Sequence, residues 1–153
     1  MPCVWLQHNK SQLFINVAVI DANVFADWTD NGNREQPLQH HMFKALVDTG
    51  AQTTMISSSV AKTMQLRPIG KAQFLGVGGM SEHNNYLFHI GFTMVEPEIE
   101  PGISRTTLHV MPPPIQGGEM NLENSGFDVL LGMDIVGNGS LAVEGGGTFS
   151  FSF

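Results

Sequence analysis

Residues 45–51 have the sequence ALVDTGA, in which an apolar run ends at the carboxylate of Asp48. Residues 42–47 predict a short buried strand, and an unpaired charge seldom follows such a strand directly. Gly50 permits a tight turn, and the Thr49 hydroxyl can hydrogen-bond a neighbouring main-chain group. The tripeptide alone is equally consistent with a simple turn that has a capping carboxylate, so its meaning depends on the rest of the chain.

The composition favours a mainly β protein with many loops. The chain has 153 residues, of which 42% are hydrophobic and 14% are charged, with 17 glycines and 8 prolines. This length predicts a single domain over residues 1–153, and a helical bundle would need more Lys, Glu and Ala. The formal net charge of −7 argues against a nucleic-acid partner, because the protein would repel a phosphate backbone.

Cysteine and histidine patterns favour neither a disulfide framework nor a metal site. Cys3 is the single cysteine, which favours a reducing compartment and a cytoplasmic location. His40 and His41 are adjacent, so their side chains diverge on most backbones, and we interpret them as part of a surface loop. We expect no metal and no cofactor. No segment reaches the roughly 18 apolar residues that cross a bilayer, and we expect neither a membrane segment nor a secretory signal.

Short strands dominate the predicted secondary structure. Alternation from Leu13 to Val19 predicts a strand with one buried face, and residues 72–95 predict a hairpin whose tip is the GVGG run at 76–79. Residues 21–41 and 112–126 are polar or rich in proline and glycine and predict irregular loops. Further strands are expected at 53–56, 106–111, 127–131, 141–143 and 149–153, a short helix from Ser57 or Ser58 to Gln65, and a helical turn at 132–136. This pattern is typical of a closed β barrel or a sandwich.

Three other segments follow ALVDTGA in a definite order: GVGG at 76–79, VLLGMD at 129–134 and TFSFSF at 148–153. Together they resemble the retropepsin-like aspartic proteases, the family of the retroviral proteases and their cellular and bacterial relatives. The resemblance covers residues 2–153, and the LLGMD form is more similar to the bacterial and cellular members. It implies a retropepsin-like closed β barrel with a glycine-rich flap hairpin and one or two short helices, forming half of a two-fold dimer.

The resemblance implies an aspartic endopeptidase that acts on extended peptide segments, with Asp48, Thr49 and Gly50 as the catalytic turn. Two facing aspartates cannot both ionise cheaply, so one serves as a base while the other stays protonated. The chain contains one Asp-Thr-Gly run. Asp134 belongs to the family's helix and is interpreted as structural. The second carboxylate is therefore expected from another copy of the chain, which makes a homodimer a chemical requirement.

The resemblance also assigns substrate-binding positions. Ala51 matches a small residue beside the substrate main chain, and Gln52 stands where many viral members have an acidic residue. Gly78 and Gly79 would offer backbone N–H groups from the flap tip. Apolar side pockets would be lined by Val77, Ile115 and Met80, with the wall loop at Pro112–Ile115.

Two segments, 21–41 and 115–126, exceed the compact viral pattern. We interpret them as tolerated surface insertions, although an extension of the substrate groove is the alternative. The stripe formed by Phe149, Phe151 and Phe153 can be ordinary core, but the resemblance favours a strand of the dimer interface.

Two other functions are compatible with the sequence. One is a catalytically silent retropepsin-like module that dimerises or binds extended peptides, and the other is a monomeric β-barrel binder of small ligands. The intact run of Asp48, Thr49 and Gly50 favours the protease.

Overall fold

The computed structural model describes residues 1–30, 36–96 and 101–153. Over these ranges the chain is mainly β with few short helices, as predicted. The strands are β1 (Cys3–Gln7), β2 (Phe14–Asp21), β3 (Met42–Val47), β4 (Met55–Ser57), β5 (Gly70–Gly76), β6 (Gly79–Val95), β7 (Thr106–Val110), β8 (Ile115–Met120), β9 (Val129–Leu131), β10 (Ser140–Val143) and β11 (Thr148–Ser152). The helices are α1 (Ala22–Asp30), α2 (Ser58–Thr63) and α3 (Met133–Val136).

The strands form two sheets. The smaller sheet has the order β1-β11-β10, and the larger one has the order β2-β3-β9-β4-β8-β6-β5, with β7 added beside β6. β2 also pairs with β6 through the registers Ala18↔Gly91 to Asp21↔Phe88. The strand pairings therefore run in a cycle through β2, β3, β9, β4, β8 and β6. This cycle places the end of β3, where Asp48 follows, next to β9.

One apolar core joins the two sheets. Val17, Ala45, Phe88 and Val129 of the larger sheet are fully buried, and Phe149 of the smaller sheet belongs to the same cluster. Full burial of a valine or phenylalanine side chain stabilises the fold by about 1.5–3 kcal/mol. Because β3 and β9 contribute to this cluster, the segments that lead into the candidate site are rigidly placed.

The glycine-tipped hairpin is confirmed at the predicted position. β5 and β6 pair from Gly70↔Asn85 to Gly76↔Gly79, which leaves Val77 and Gly78 as the turn. Gly79 has φ 102°, a backbone conformation that residues other than glycine seldom adopt. We call residues 70–85 the hairpin arm.

The loop predicted over 21–41 is wrong for its first part, which forms α1. The Asp21 Oδ1 atom accepts hydrogen bonds from Asn23 N (2.8 Å) and Val24 N (3.2 Å) and so caps the helix. Phe25 and Trp28 lie one turn apart on the same face, and the Phe25 ring packs against His89 with centroids 4.5 Å apart. The contact between Phe25 and His89 holds this segment to β6 of the larger sheet. The part of the predicted loop at 31–35 lies outside the described residues.

The loop predicted over 112–126 is also wrong for its central part, which forms β8. β8 lies between β4 and β6 inside the larger sheet, so it is not a surface insertion. Gly117 and Gly118 obscured this strand, since glycine is rare in strands. Both are buried under aromatic rings: a Cβ at Gly117 would lie 2.5 Å from Phe88 Cζ, and one at Gly118 would lie 2.6 Å from Phe74 Cζ.

The terminal strand is the central strand of the smaller sheet. β11 is paired on both edges within the chain, with β1 on one side and β10 on the other. Phe149 and Phe151 are buried in the core of the same chain, so packing within one chain explains their alternation, and a role of this strand in a dimer interface stays a prediction. The first strand, β1, was not predicted at all.

Candidate active site

Asp48 lies at the point where β3 leaves the core. Its N–H donates to Leu131 O on β9 (3.0 Å), and the preceding Val47 N–H donates to Leu13 O (2.9 Å). These two bonds hold the main chain on both sides of the strand end. The Asp48 side chain is half-buried, so its carboxylate is positioned by the sheet and still accessible.

The Asp-Thr-Gly turn folds back on the carboxylate. Gly50 N–H donates to Asp48 Oδ1 (2.8 Å), and Ala51 N–H donates to Asp48 O (3.2 Å). A Cβ at Gly50 would lie 3.2 Å from Asp48 Oδ1, which is a tight contact. A hydrogen bond of this kind limits the rotation of the carboxylate. The turn therefore holds the two carboxylate oxygens of Asp48 in one orientation.

A cluster of buried Thr54 and Gly132 with half-buried Asp134 supports this turn. Thr54 N–H donates to both carboxylate oxygens of Asp134 (3.1 and 2.9 Å), and the Thr54 hydroxyl donates to Asp134 Oδ1 (2.6 Å). The same hydroxyl accepts from Gly132 N–H (3.0 Å). A Cβ at Gly132 would lie 2.7 Å from the carbonyl carbon of Thr53, so only glycine fits. Both carboxylate oxygens of Asp134 thus accept hydrogen bonds from Thr54. Asp134 therefore has a structural role, which confirms the interpretation from the sequence.

Two further main-chain bonds tie the turn to α3. Met133 N–H donates to Ala51 O (2.8 Å), and Asp134 N–H donates to Gln52 O (3.2 Å). The first N–H groups of a helix have no partner within the helix, and here the carbonyls of Ala51 and Gln52 supply partners. The structure therefore brings together the residues from Asp48 to Gln52 with the start of α3.

The other predicted site residues lie on separate elements. Val77, Gly78 and Gly79 form the exposed tip of the hairpin arm, and Gln52 is exposed in the turn. Ile115 is the first residue of β8 and packs partly buried against the core. Their role in substrate binding stays a prediction.

The base of the hairpin arm contains a polar contact that the sequence did not predict. The Tyr86 hydroxyl on β6 donates to Glu119 Oε2 on β8 (2.6 Å), and Asn84 Nδ2 donates to the same oxygen (3.4 Å). Tyr86 is buried. Burial, followed by the hydrogen bond and negative charge of Glu119, raises the pKa of Tyr86 to about 12.

Thr54 is the functional-site residue that sequence reasoning missed. It appears in the sequence as one of two adjacent threonines in a predicted strand, where a β-branched residue needs no special reason. Its distance of 80 residues from Asp134 in the chain hides their contact. The Leu-Leu-Gly-Met-Asp run was the available signal, because it placed a carboxylate directly after a buried strand.

Residues with metal-binding chemistry do not cluster in the described part of the chain. Over residues 1–30, 36–96 and 101–153, no three His, Cys, Asp or Glu side chains are grouped to hold a metal ion. His40 and His41 are both exposed, as expected for a surface loop. Within the same ranges, no helix is long and apolar enough to cross a membrane.

An Asp-Thr-Gly turn that leaves a buried strand and rests on an apolar-apolar-Gly turn defines the class of retropepsin-like aspartic proteases. The chain belongs to this family: residues 37–138 match the family model described as "gag-polyprotein putative aspartyl protease". The resemblance inferred from the sequence is thereby confirmed.

The fold is similar to the crystal structure of a retropepsin-like aspartic protease from Rickettsia conorii. The TM-score is 0.54 at 14% sequence identity, and the match covers 98% of this chain and 89% of the other. No curated protein matches the chain.

Proposed function

We propose that this chain is an aspartic endopeptidase that cleaves extended polypeptide segments with a pair of Asp48 residues contributed by two copies of the chain. The observation that carries this proposal is the Asp48 turn, in which Gly50 N–H bonds Asp48 Oδ1 (2.8 Å) at the end of a buried strand. The family to which the chain belongs supports a peptidase.

A single Asp48 carboxylate cannot carry out both proton transfers that peptide hydrolysis needs. One carboxylate can take a proton from water, but the scissile carbonyl also needs a proton donor. The remaining acid near the turn, Asp134, accepts three hydrogen bonds from Thr54 and is committed to the fold. A second Asp48, related by a two-fold axis, supplies the missing acid. The cycle of strand pairings supports a closed barrel as each half of that dimer.

In the proposed dimer the two Asp48 carboxylates share one proton, because like charges a few ångströms apart cannot both ionise cheaply. The ionised member removes a proton from water, and the neutral member donates its proton to the carbonyl oxygen as the tetrahedral intermediate forms. The proton taken from water then passes to the amide nitrogen as the C–N bond breaks, and one hydroxyl of the intermediate returns its proton to the other Asp48, which leaves a carboxylic acid, a free amine and a pair that again holds one proton. Gly50 N–H fixes the rotation of each carboxylate. Titration of activity belongs to the pair and not to one residue.

The hairpin tip is the proposed contact with the substrate backbone. Gly78 and Gly79 have no side chains to block their N–H groups, and Val77 is fully exposed beside them. An extended substrate bound in β fashion uses such main-chain groups for affinity and side pockets for selectivity. Ala51, Gln52 and Ile115 are the proposed neighbours of its side chains.

Replacement of Asp48 by asparagine tests the proposal. Asp48→Asn keeps an oxygen for the Gly50 N–H bond but removes the base, so cleavage of a peptide library should fall by about 100- to 10,000-fold. Asp27→Asn, in the exposed part of α1, is the matched control and should cleave normally. Thermal unfolding of both variants should match the wild type. Undiminished cleavage by Asp48→Asn would exclude the mechanism, and a wild-type dimer without cleavage would indicate a catalytically silent module.

A further inference from the structure

Two faces can be distinguished on the strands that lead into and away from the Asp48 turn. Ala45, Val129 and Ile56 are fully buried members of the apolar core, and they lie side by side in the registers Ala45↔Val129 and Ile56↔Val129. Successive side chains of a strand point to opposite faces. The residues next to these three in the chain therefore lie on a second face, which points away from the core.

A row of four residues crosses this second face from β3 to β8. The registers Leu46↔Leu130, Leu130↔Met55 and Met55↔Gly118 connect four neighbouring strands. None of the four residues belongs to the apolar core cluster, yet Met55 is only 5% exposed. Asp48 follows Leu46 by two residues, and its N–H group still bonds β9. The alternation therefore places the Asp48 carboxylate on the same face as this row.

Phe74 of the hairpin arm covers the other end of the row. A Cβ at Gly118 would lie 2.6 Å from Phe74 Cζ and 2.9 Å from Met55 Cε, so the Phe74 ring occupies the space that a side chain at Gly118 would need. Phe74 is half-buried, whereas Leu75 on the opposite face of the arm is 79% exposed. The Phe74 ring is therefore held between the arm and β8, on the face that carries Asp48.

The Phe74 ring also lies close to the part of the arm that the proposed substrate contacts. Its register partner is Ser81, and these two residues form the first cross-strand pair with side chains on this face behind the glycine tip. A substrate whose main chain bonds Gly78 and Gly79 in β fashion directs every second side chain towards this face. One of those side chains then lies between the Phe74 ring and the row that contains Met55.

We propose that Phe74 is a specificity-determining residue, which restricts one substrate position beside the cleaved bond to a small apolar side chain such as that of alanine or valine. The Phe74 ring rests on Gly118 and takes the space that a larger substrate side chain would need. A charged side chain is disfavoured at the same position, because burying an unpaired charge among apolar groups is costly. This inference rests on the proposed protease function and adds the class of substrate.

Cleavage of paired peptides by Phe74→Ala tests this role. The sites that the wild type cleaves in a randomised peptide library are found by mass spectrometry. Each site is then remade as two blocked peptides that carry alanine or phenylalanine at one position beside the cut. At one such position the kcat/KM of the wild type should be higher for the alanine peptide by about tenfold or more. Phe74→Ala should lower this ratio by about tenfold or more, because the ring no longer fills the space.

Leu75→Ala is the matched control, because it removes an apolar side chain from the exposed face of the same strand, and its ratio should equal that of the wild type. Phe74→Leu retains a large apolar side chain and should give an intermediate ratio even where Phe74→Ala folds poorly. The same ratio in the wild type and Phe74→Leu, or an equal change in Leu75→Ala, would overturn the role of Phe74 and leave the protease function intact. A wild type that cleaves no peptide would overturn both proposals.

Discussion

Thr54 connects the two segments on which the Asp48 turn depends. Its hydroxyl is the donor to Asp134 Oδ1 and the acceptor for Gly132 N–H, and the residue is fully buried. A buried polar group that loses its partner costs about 1–3 kcal/mol. The Thr54 hydroxyl oxygen therefore adds to the main-chain bonds that hold the turn against α3.

Thr54→Val should lower the free energy of unfolding by about 2–3 kcal/mol, because the isosteric change leaves Gly132 N–H and one Asp134 oxygen without that partner. Urea denaturation measures this change. Thr54→Ser retains the hydroxyl and loses a methyl group, so it should lose less stability. Equal losses in both variants would show that packing, and not the hydroxyl, holds the turn.

At the scale of single residues, the apolar run at 45–47 predicted that Asp48 follows a buried strand, and the family resemblance implied the structural role of Asp134. The sequence did not predict Thr54 or Glu119. Both act through partners more than 30 residues away, and a single sequence contains no sign of such long-range pairs. The physical information lies in the packing that brings their strands together.

β8 depends on two glycines that admit aromatic rings close to the backbone. Gly117→Ala would place a methyl group 2.5 Å from Phe88 Cζ and 2.8 Å from Thr54 O. Since Phe88 is fully buried, the ring cannot move without disturbing the core. The expected loss in the free energy of unfolding is about 1–3 kcal/mol, measured by thermal or urea unfolding. Gly146→Ala is the control: no atom lies within 4 Å of its added Cβ, and it should lose no stability.

Tyr86 reports on the contact between β6 and β8, and it is the single tyrosine of the chain. Its ultraviolet absorbance should titrate near pH 12 in the native protein and near its ordinary value of 10.0 when unfolded. Folding favours the neutral phenol of Tyr86 over its ionised form. The stability that depends on the neutral form is therefore complete below pH 10 and is lost as the pH rises through 12.

Glu119→Gln removes the negative charge beside the phenol and should lower the pKa of Tyr86, leaving mainly the effect of burial. Tyr86→Phe should abolish the titration and flatten the loss of stability above pH 10. A native titration at the ordinary value would contradict the contact.

The strands and helices that could be predicted are those with a regular spacing of apolar residues or with a glycine-rich turn. β2, β3 and the hairpin arm follow alternation and the GVGG turn. α1 was missed although Asp21, Phe25 and Trp28 have the spacing of a capped amphipathic helix, because polar residues surround them. β8 was missed because its two glycines leave room for the rings of Phe88 and Phe74 on other strands. These close contacts exist only in the folded molecule.

The proposed dimer predicts how activity responds to mixed chains. When wild-type and Asp48→Asn chains are mixed at constant total concentration and allowed to exchange, only dimers with two Asp48 residues should cleave. Activity should then fall with the square of the wild-type fraction, since each site needs two intact chains. Dilution with an unrelated protein is the control and should give a linear fall. A linear response to Asp48→Asn would indicate that one chain acts alone.

The central position of β11 also governs how the chain folds. Its register joins Cys3 to Ser152, so a loop of nearly the whole chain must close before the smaller sheet can form. Such closure is costly in entropy, and contacts this distant in sequence slow folding. During synthesis β1 is made before β11, and the core site of Phe149 stays empty until β11 is present. The apolar surface left open in that interval favours aggregation of the unfinished chain.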